Sequence, residues 1–178
     1  MVVNAPQSNI VSAAEHTMAL LLASARNVPQ AHAALVDGRW ERSKWEGVEL
    51  VDKTLGVVGL GRIGKLVADR AKGFGMRLGA YDPFVSEDRA RQMGVELLDL
   101  DQVVAESDFL TVHLPQTPET LGLINRDLLV KAKPSLRIVN VAHAGDGNVH
   151  PIILFDERDE DQVKRVLAAG EELLEECI

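Results

Sequence analysis

A single cysteine, Cys177, is all the thiol chemistry in these 178 residues. With no second cysteine the chain cannot close an internal disulfide, which excludes the framework of a small disulfide-rich domain and makes a reducing cytoplasm the expected compartment. Basic clusters are lacking as well. Lys and Arg number 19 against 27 Asp and Glu, for a net charge of -8, and this argues against nucleic acid or an anionic membrane as partner. There is no long hydrophobic run. The longest, Met18 to Ala25, is flanked by Glu15, His16 and Arg26 and falls far short of the roughly 20 residues that cross a bilayer. It is expected to be the buried face of a helix. No secretory signal is visible, and the length suits one well-packed α/β domain better than two.

What the sequence does contain is a glycine-rich turn in a defined setting. Thr54 to Gly64 reads Thr-Leu-Gly-Val-Val-Gly-Leu-Gly-Arg-Ile-Gly, and Asp82 follows eighteen positions after the last glycine. Leu55, Val57 and Val58 form a short apolar run suited to a strand buried on both faces, while Ile63, Leu66, Val67, Ala71 and Phe74 recur at helical spacing. The glycines therefore sit between a strand and a helix, the setting of a dinucleotide-binding turn. Gly59 permits the tight turn, Gly61 lets the backbone approach a pyrophosphate, and Gly64 lets the helix lie close to the strand. The first helical N–H groups and the positive end of the helix dipole then face the phosphates. Asp82 ends a second apolar stretch, Leu78 to Tyr81, where its carboxylate can accept from adenosine ribose hydroxyls and repel a 2′-phosphate. That favours NAD over NADP.

The rest of the chain alternates strands and helices. Ser12 and Glu15 have capping-box spacing, and Ala14, Met18, Leu21, Leu22, Ala25 and Val28 follow on one face, predicting an opening helix. Ala31 to Lys53 is more polar and reads as a connecting segment in which Trp40 and Trp45 serve as packing anchors. Ser86 to Met93 predicts a helix, Gly94 to Leu97 a short strand, Leu100 to Ala105 a helix and Phe109 to His113 a strand stopped by Pro115. Asn125 or Arg126 opens a further helix toward Lys131, and Leu136 to Val141 is another apolar strand. This order predicts a Rossmann-type, doubly wound parallel sheet with flanking helices. In such sheets ligands bind beyond the carboxyl ends of the strands, where Asp82, His113 to Pro115, and Val141 to Ala142 fall.

Five motifs then occur in order: Asn4 to His16, Gly59 to Gly64, Tyr81 to Pro83, His113 to Thr120, and Ile138 to Ala142. Together they resemble the coenzyme domain of the D-isomer-specific 2-hydroxyacid dehydrogenases, in their D-3-phosphoglycerate dehydrogenase branch, over residues 1–142. The resemblance implies NAD as cofactor, with Arg62 and Ile63 on the pyrophosphate, Asp82 on the ribose, and His113, Leu114, Pro115, Val141 and Ala142 on the nicotinamide side. It also implies serine biosynthesis as the setting, a small 2-hydroxy acid as substrate of a complete relative, and a homodimer whose contact includes the opening helix. Complete members carry an arginine directly after the Asn-Val-Ala strand end, to clamp the substrate carboxylate. Here that position is His143. The glutamate and histidine that act further along as an acid/base pair, and the split substrate domain, have no counterpart in these residues.

Residues 143–178 read as a second unit, either separate or packed on the same domain. His143 to Asp156, followed by an acidic helix from about Glu160 to Glu176, is similar to part of the C-terminal domain of FAD-linked oxidases of the glycolate oxidase and D-lactate dehydrogenase type. The chain thus reads as a chimera or truncated fusion joined between about Ile138 and His143, with a strand–helix tail. His143 and His150, with Asp146 between them, are metal-type ligands, and the resemblance implies that histidines so placed bind a divalent metal in some relatives. Zinc needs a third or fourth ligand. A polar turn between strands is therefore the preferred reading, and Glu157 to Asp161 is a solvated helix start. The expectation for the whole is a NAD-binding fold without its acid/base machinery. The rivals are a non-enzymatic dimerisation or regulatory module and a metal-binding remnant of a flavin-linked oxidase.

Overall fold

The computed structural model describes residues 9–115 and 117–139. Five parallel strands make one sheet in the order β3-β2-β1-β4-β5. They are β1 (Thr54–Val58), β2 (Arg77–Tyr81), β3 (Glu96–Leu97), β4 (Phe109–Val112) and β5 (Arg137–Val139). Among the described residues six α-helices and one 3-10 turn (Arg42–Trp45) accompany them: α1 (Ile10–Ala25), α2 (Val28–Val36), α3 (Arg62–Lys72), α4 (Glu87–Gln92), α5 (Leu100–Glu106) and α6 (Arg126–Leu129). The chain runs outward from the central β1 through β2 to β3, then crosses back to β4 on the other side. This reversal between β1 and β4 creates the crevice in which doubly wound folds take ligands. The parallel α/β sheet is as expected.

Strand β1 is central because its sequence tolerates nothing else. Leu55, Val57 and Val58 are all completely buried, so both faces need a covering layer. On one face α3 and α1 pack together, burying Val67, Ala68 and Ala71 with Ala14, Met18, Leu21 and Ala25. On the other, α5 and α6 bury Val103, Val104 and Leu128 against Val58 and Leu110. A fully buried Leu or Val contributes about 1.5–3 kcal/mol relative to exposure, so the two layers bind the sheet from both sides. An ion pair from Arg70 to Glu15 (3.6 Å) and a hydrogen bond from Arg137 Nη1 to the Ser24 carbonyl (2.9 Å) tie α1 to α3 and to β5.

Several sequence expectations shift here. Helix α1 begins after Asn9, and Ser12 lies inside its first turn, donating its hydroxyl to the Asn9 carbonyl at 3.0 Å. Ser12 is therefore not the cap. A capping box is present instead at α5, between Asp99 and Gln102. Val28 does not extend the α1 face, because Asn27 adopts a left-handed conformation (φ 51°) and a new helix, α2, starts there. The supposed connecting segment thus contains a helix. Trp40 anchors nothing: it is 80% exposed, whereas Trp45 is half-buried. Phe74 lies beyond the end of α3 and is 40% exposed.

Candidate dinucleotide site

The three strand ends that matter come out level. Val58 pairs with Tyr81 on one side and with Val112 on the other, so Gly59, Asp82 and His113 each stand one residue past a register line. Neighbouring strands are about 4.8 Å apart, which sets the three residues side by side along one edge. Two backbone bonds fix this arrangement: Gly59 N–H donates to the Tyr81 carbonyl and His113 N–H to the Val58 carbonyl, each at 2.8 Å.

Each motif glycine has a distinct physical reason. Gly59 has φ 96°, and a Cβ there would meet the His113 carbonyl oxygen at 2.8 Å, so it serves both the turn and the approach of β4. A Cβ on Gly64 would run into the carbonyl oxygen of Gly59. At Gly61 the opposite holds, since a Cβ there would meet no atom of the described residues within 4 Å. Gly61 is the N-cap of α3, and no side chain caps that helix. First-turn N–H groups lack intrahelical partners in any α-helix and suit an anion. Arg62, first residue of α3, is exposed, and Ile63 is half-buried against the core.

Asp82 does more than stand at a strand end. Its Oδ2 accepts the Leu60 N–H at 2.8 Å and its Oδ1 accepts the Phe84 N–H at 2.9 Å. Across the crevice, His113 Nε2 lies 3.0 Å from the hydroxyl of the fully buried Thr111. Burial pushes the His113 imidazole down to about 4, so it is neutral at physiological pH. Leu114 is half-buried and Pro115 exposed. The sequence reading missed Leu60, Phe84 and Thr111. The first two act through backbone N–H groups and leave no residue-type signal, whereas the alternation of Thr111 and His113 on one strand face was available.

Val141, Ala142, His143 and His150 lie outside the described residues, as does the remainder of the tail. Among the described residues no group of three or more His, Cys, Asp or Glu side chains could hold a metal ion. No described helix is long and apolar enough to cross a membrane. A shallow cleft of about 430 Å³, lined by Glu87, Arg91 and Gly94 to Leu97, lies at the β3 edge and shares no residue with the crevice.

The arrangement has clear counterparts among known proteins. The family described as D-isomer specific 2-hydroxyacid dehydrogenase, NAD binding domain, matches residues 18–150. The match runs past residue 142 and takes in His143 to His150. The chain is 57% identical over 145 residues to D-3-phosphoglycerate dehydrogenase of Mycobacterium bovis, covering 82% of the chain and 28% of that protein. It therefore spans little more than a quarter of that relative's length. The apo-structure of D-lactate dehydrogenase from Escherichia coli superposes with a TM-score of 0.74 at 30% identity, over 94% of this chain and 49% of that one. The NAD-dependent formate dehydrogenase of Staphylococcus aureus in complex with NAD gives a TM-score of 0.70 at 34% identity, over 92% and 46%.

Proposed function

Because the chain belongs to the D-isomer-specific 2-hydroxyacid dehydrogenases through their NAD-binding domain, we propose that it holds NAD(H) across the ends of β1, β2 and β4. In this reading Gly59, Gly61, Arg62, Ile63 and Gly64 take the pyrophosphate and Asp82 the adenosine ribose. His113, Leu114, Pro115, Val141 and Ala142 form the nicotinamide side. The observation that supports it most is the level register of Gly59, Asp82 and His113 beside an uncapped helix N-terminus. When bound, the nicotinamide supplies the hydride chemistry. The residues of this chain hold and orient it, and the neutral His113 places no charge beside the ring.

The whole-protein activity we propose is oxidation of a small 2-hydroxy acid, with 3-phosphoglycerate as substrate and serine biosynthesis as its setting. It requires more than these 178 residues. His143 stands where the family carries its carboxylate-clamping arginine, and an imidazole lacks the bidentate fork of a guanidinium. The residues beyond the family match we read as a separate unit with the character of an FAD-linked oxidase fragment, and His143 to His150 as a polar turn rather than a zinc site. The family match through residue 150 weighs against a join as early as 142. Thermal melting with NADH, with zinc and with neither separates these readings, since a ligand that binds only the folded state raises the midpoint. A rise with NADH alone supports the coenzyme domain.

A second reading, self-association, is favoured by one observation. The face of α1 expected to pair is buried, with Met18 at 5% and Leu21 at 0% exposure, but α2 presents Val28, Leu35 and Val36 at 53, 58 and 71%, followed by Trp40. Exposed apolar residues grouped on one short helix favour an interface. We place the contact of a homodimer there, and sedimentation of Leu35→Glu against the unaltered chain tests it: the variant should be monomeric.

A further inference from the structure

The two hydrogen bonds of Asp82 give this carboxylate a task that does not depend on any ligand. Leu60 is the residue between the first two glycines of the turn, and it is only 5% exposed. A buried backbone N–H needs an acceptor, and the nearest strand end supplies one from a side chain, Asp82 Oδ2 at 2.8 Å. The preceding amide, Gly59 N–H, is held by the Tyr81 carbonyl at 2.8 Å. Two successive N–H groups of the turn are thus tied to Tyr81, the last residue of β2, and to Asp82, the residue that follows it. The other oxygen, Oδ1, holds Phe84 N–H at 2.9 Å, which folds the segment after Pro83 back over the carboxylate and fixes its orientation.

We infer that Asp82 is a positioning residue for the glycine-rich turn, setting the Gly59–Leu60 peptide in its binding shape before a dinucleotide arrives. The inference rests on the reading of this crevice as the NAD site, and it adds a second role to the ribose contact. The two roles are compatible. Each carboxylate oxygen has two acceptor positions, so one on each remains for ribose hydroxyls. Because Gly59 sits at φ 96°, where glycine moves freely between basins, the turn has no side-chain barrier of its own to hold that peptide. The Asp82 clamp supplies the restraint.

The test is amide hydrogen exchange of the full 178-residue chain, without ligand, for the unaltered protein, Asp82→Ala and Asp82→Asn. Asp82→Ala should speed exchange at Leu60 by roughly tenfold or more, the scale expected for losing a buried charged acceptor, while Val57 and Val58 in the sheet stay unchanged. Asp82→Asn retains one carbonyl acceptor and should restore protection at Leu60 even though the charge is gone. Unchanged exchange at Leu60 in Asp82→Ala, or an Asn variant that behaves like Ala, would overturn the inference. NADH titration of the same unaltered sample reports separately on the cofactor reading, which fails if NADH does not bind whatever Leu60 does.

Discussion

Gly64 sits so close to Gly59 that a Cβ at 64 would overlap the carbonyl oxygen of residue 59. This contact holds α3 against the end of β1, and it separates the motif glycines into two kinds. Gly64→Ala should destabilise the fold by about 1–3 kcal/mol, as overpacking a rigid backbone contact does. Gly61→Ala meets no atom of the described residues within 4 Å and should melt within a degree or two of the unaltered chain, yet lose NADH affinity by about tenfold or more through obstruction of the phosphate position. Thermal melts paired with NADH titrations check both. Equal effects of the two variants on stability would remove the distinction.

The imidazole of His113 makes stability depend on pH. Its value in the folded chain is about 4 against an ordinary 6.5, because of burial, so between those limits the unfolded chain takes up a proton that the folded chain refuses. Stability should be fully present above pH 6.5 and fall as pH drops toward 4, by on the order of 3 kcal/mol at most. In His113→Gln this portion of the acid-side loss should vanish. Urea unfolding at pH 7, 5.5 and 4 measures it, and parallel curves for the two proteins would contradict the burial argument.

Catalysis by the isolated chain should be undetectable. Oxidising a 2-hydroxy acid needs a base for the hydroxyl proton and a cation for the carboxylate, and positioned proton transfer alone contributes about 10²- to 10⁴-fold. In the proposed reading the family's acid/base pair has no counterpart in these residues, and His143 stands in the place of the arginine. With NAD and 3-phosphoglycerate the chain should give no NADH above background, and His143→Arg alone should not restore turnover. Steady NADH production abolished by His143→Ala would instead make His143 the catalyst.

Zinc should bind weakly, because His143, Asp146 and His150 fall short of a complete tetrahedral set. His150→Ala should leave the melting midpoint nearly unchanged in the presence of a chelator. Stoichiometric zinc that survives dialysis would reverse this, and Glu171, Glu172, Glu175 and Glu176 would be the first places to seek the missing ligand.

The parts of the fold legible in sequence were those where one residue type is forced. Gly59 and Gly64 had to be glycine for steric reasons that the contacts bear out, and the double-sided burial of β1 followed from its unbroken apolar run. The elements misread were those decided by competition between similar groups. Ser12 offered a capping signal, but its hydroxyl donates to Asn9 rather than accepting. The segment holding α2 looked like a polar connection because its apolar residues Val28, Leu35 and Val36 face outward, so no core periodicity announces the helix. Asp82 is legible from its distance to the glycines, whereas its bonds to Leu60 and Phe84 run through backbone N–H groups that every residue but proline carries.

In the proposed function the ends of β1, β2 and β4 take NAD in preference to NADP. Calorimetric titration of the 178-residue chain with NADH and then NADPH tests it most directly, with Asp82→Ala as comparison. NADH should saturate one site per chain and bind about tenfold or more tightly than NADPH, because Asp82 opposes a 2′-phosphate and Pro83 and Phe84 provide no compensating cation. The variant should narrow that preference. Equal dissociation constants for the two cofactors in the unaltered chain would take Asp82 out of the site, and no saturable binding of NADH would contradict the account itself.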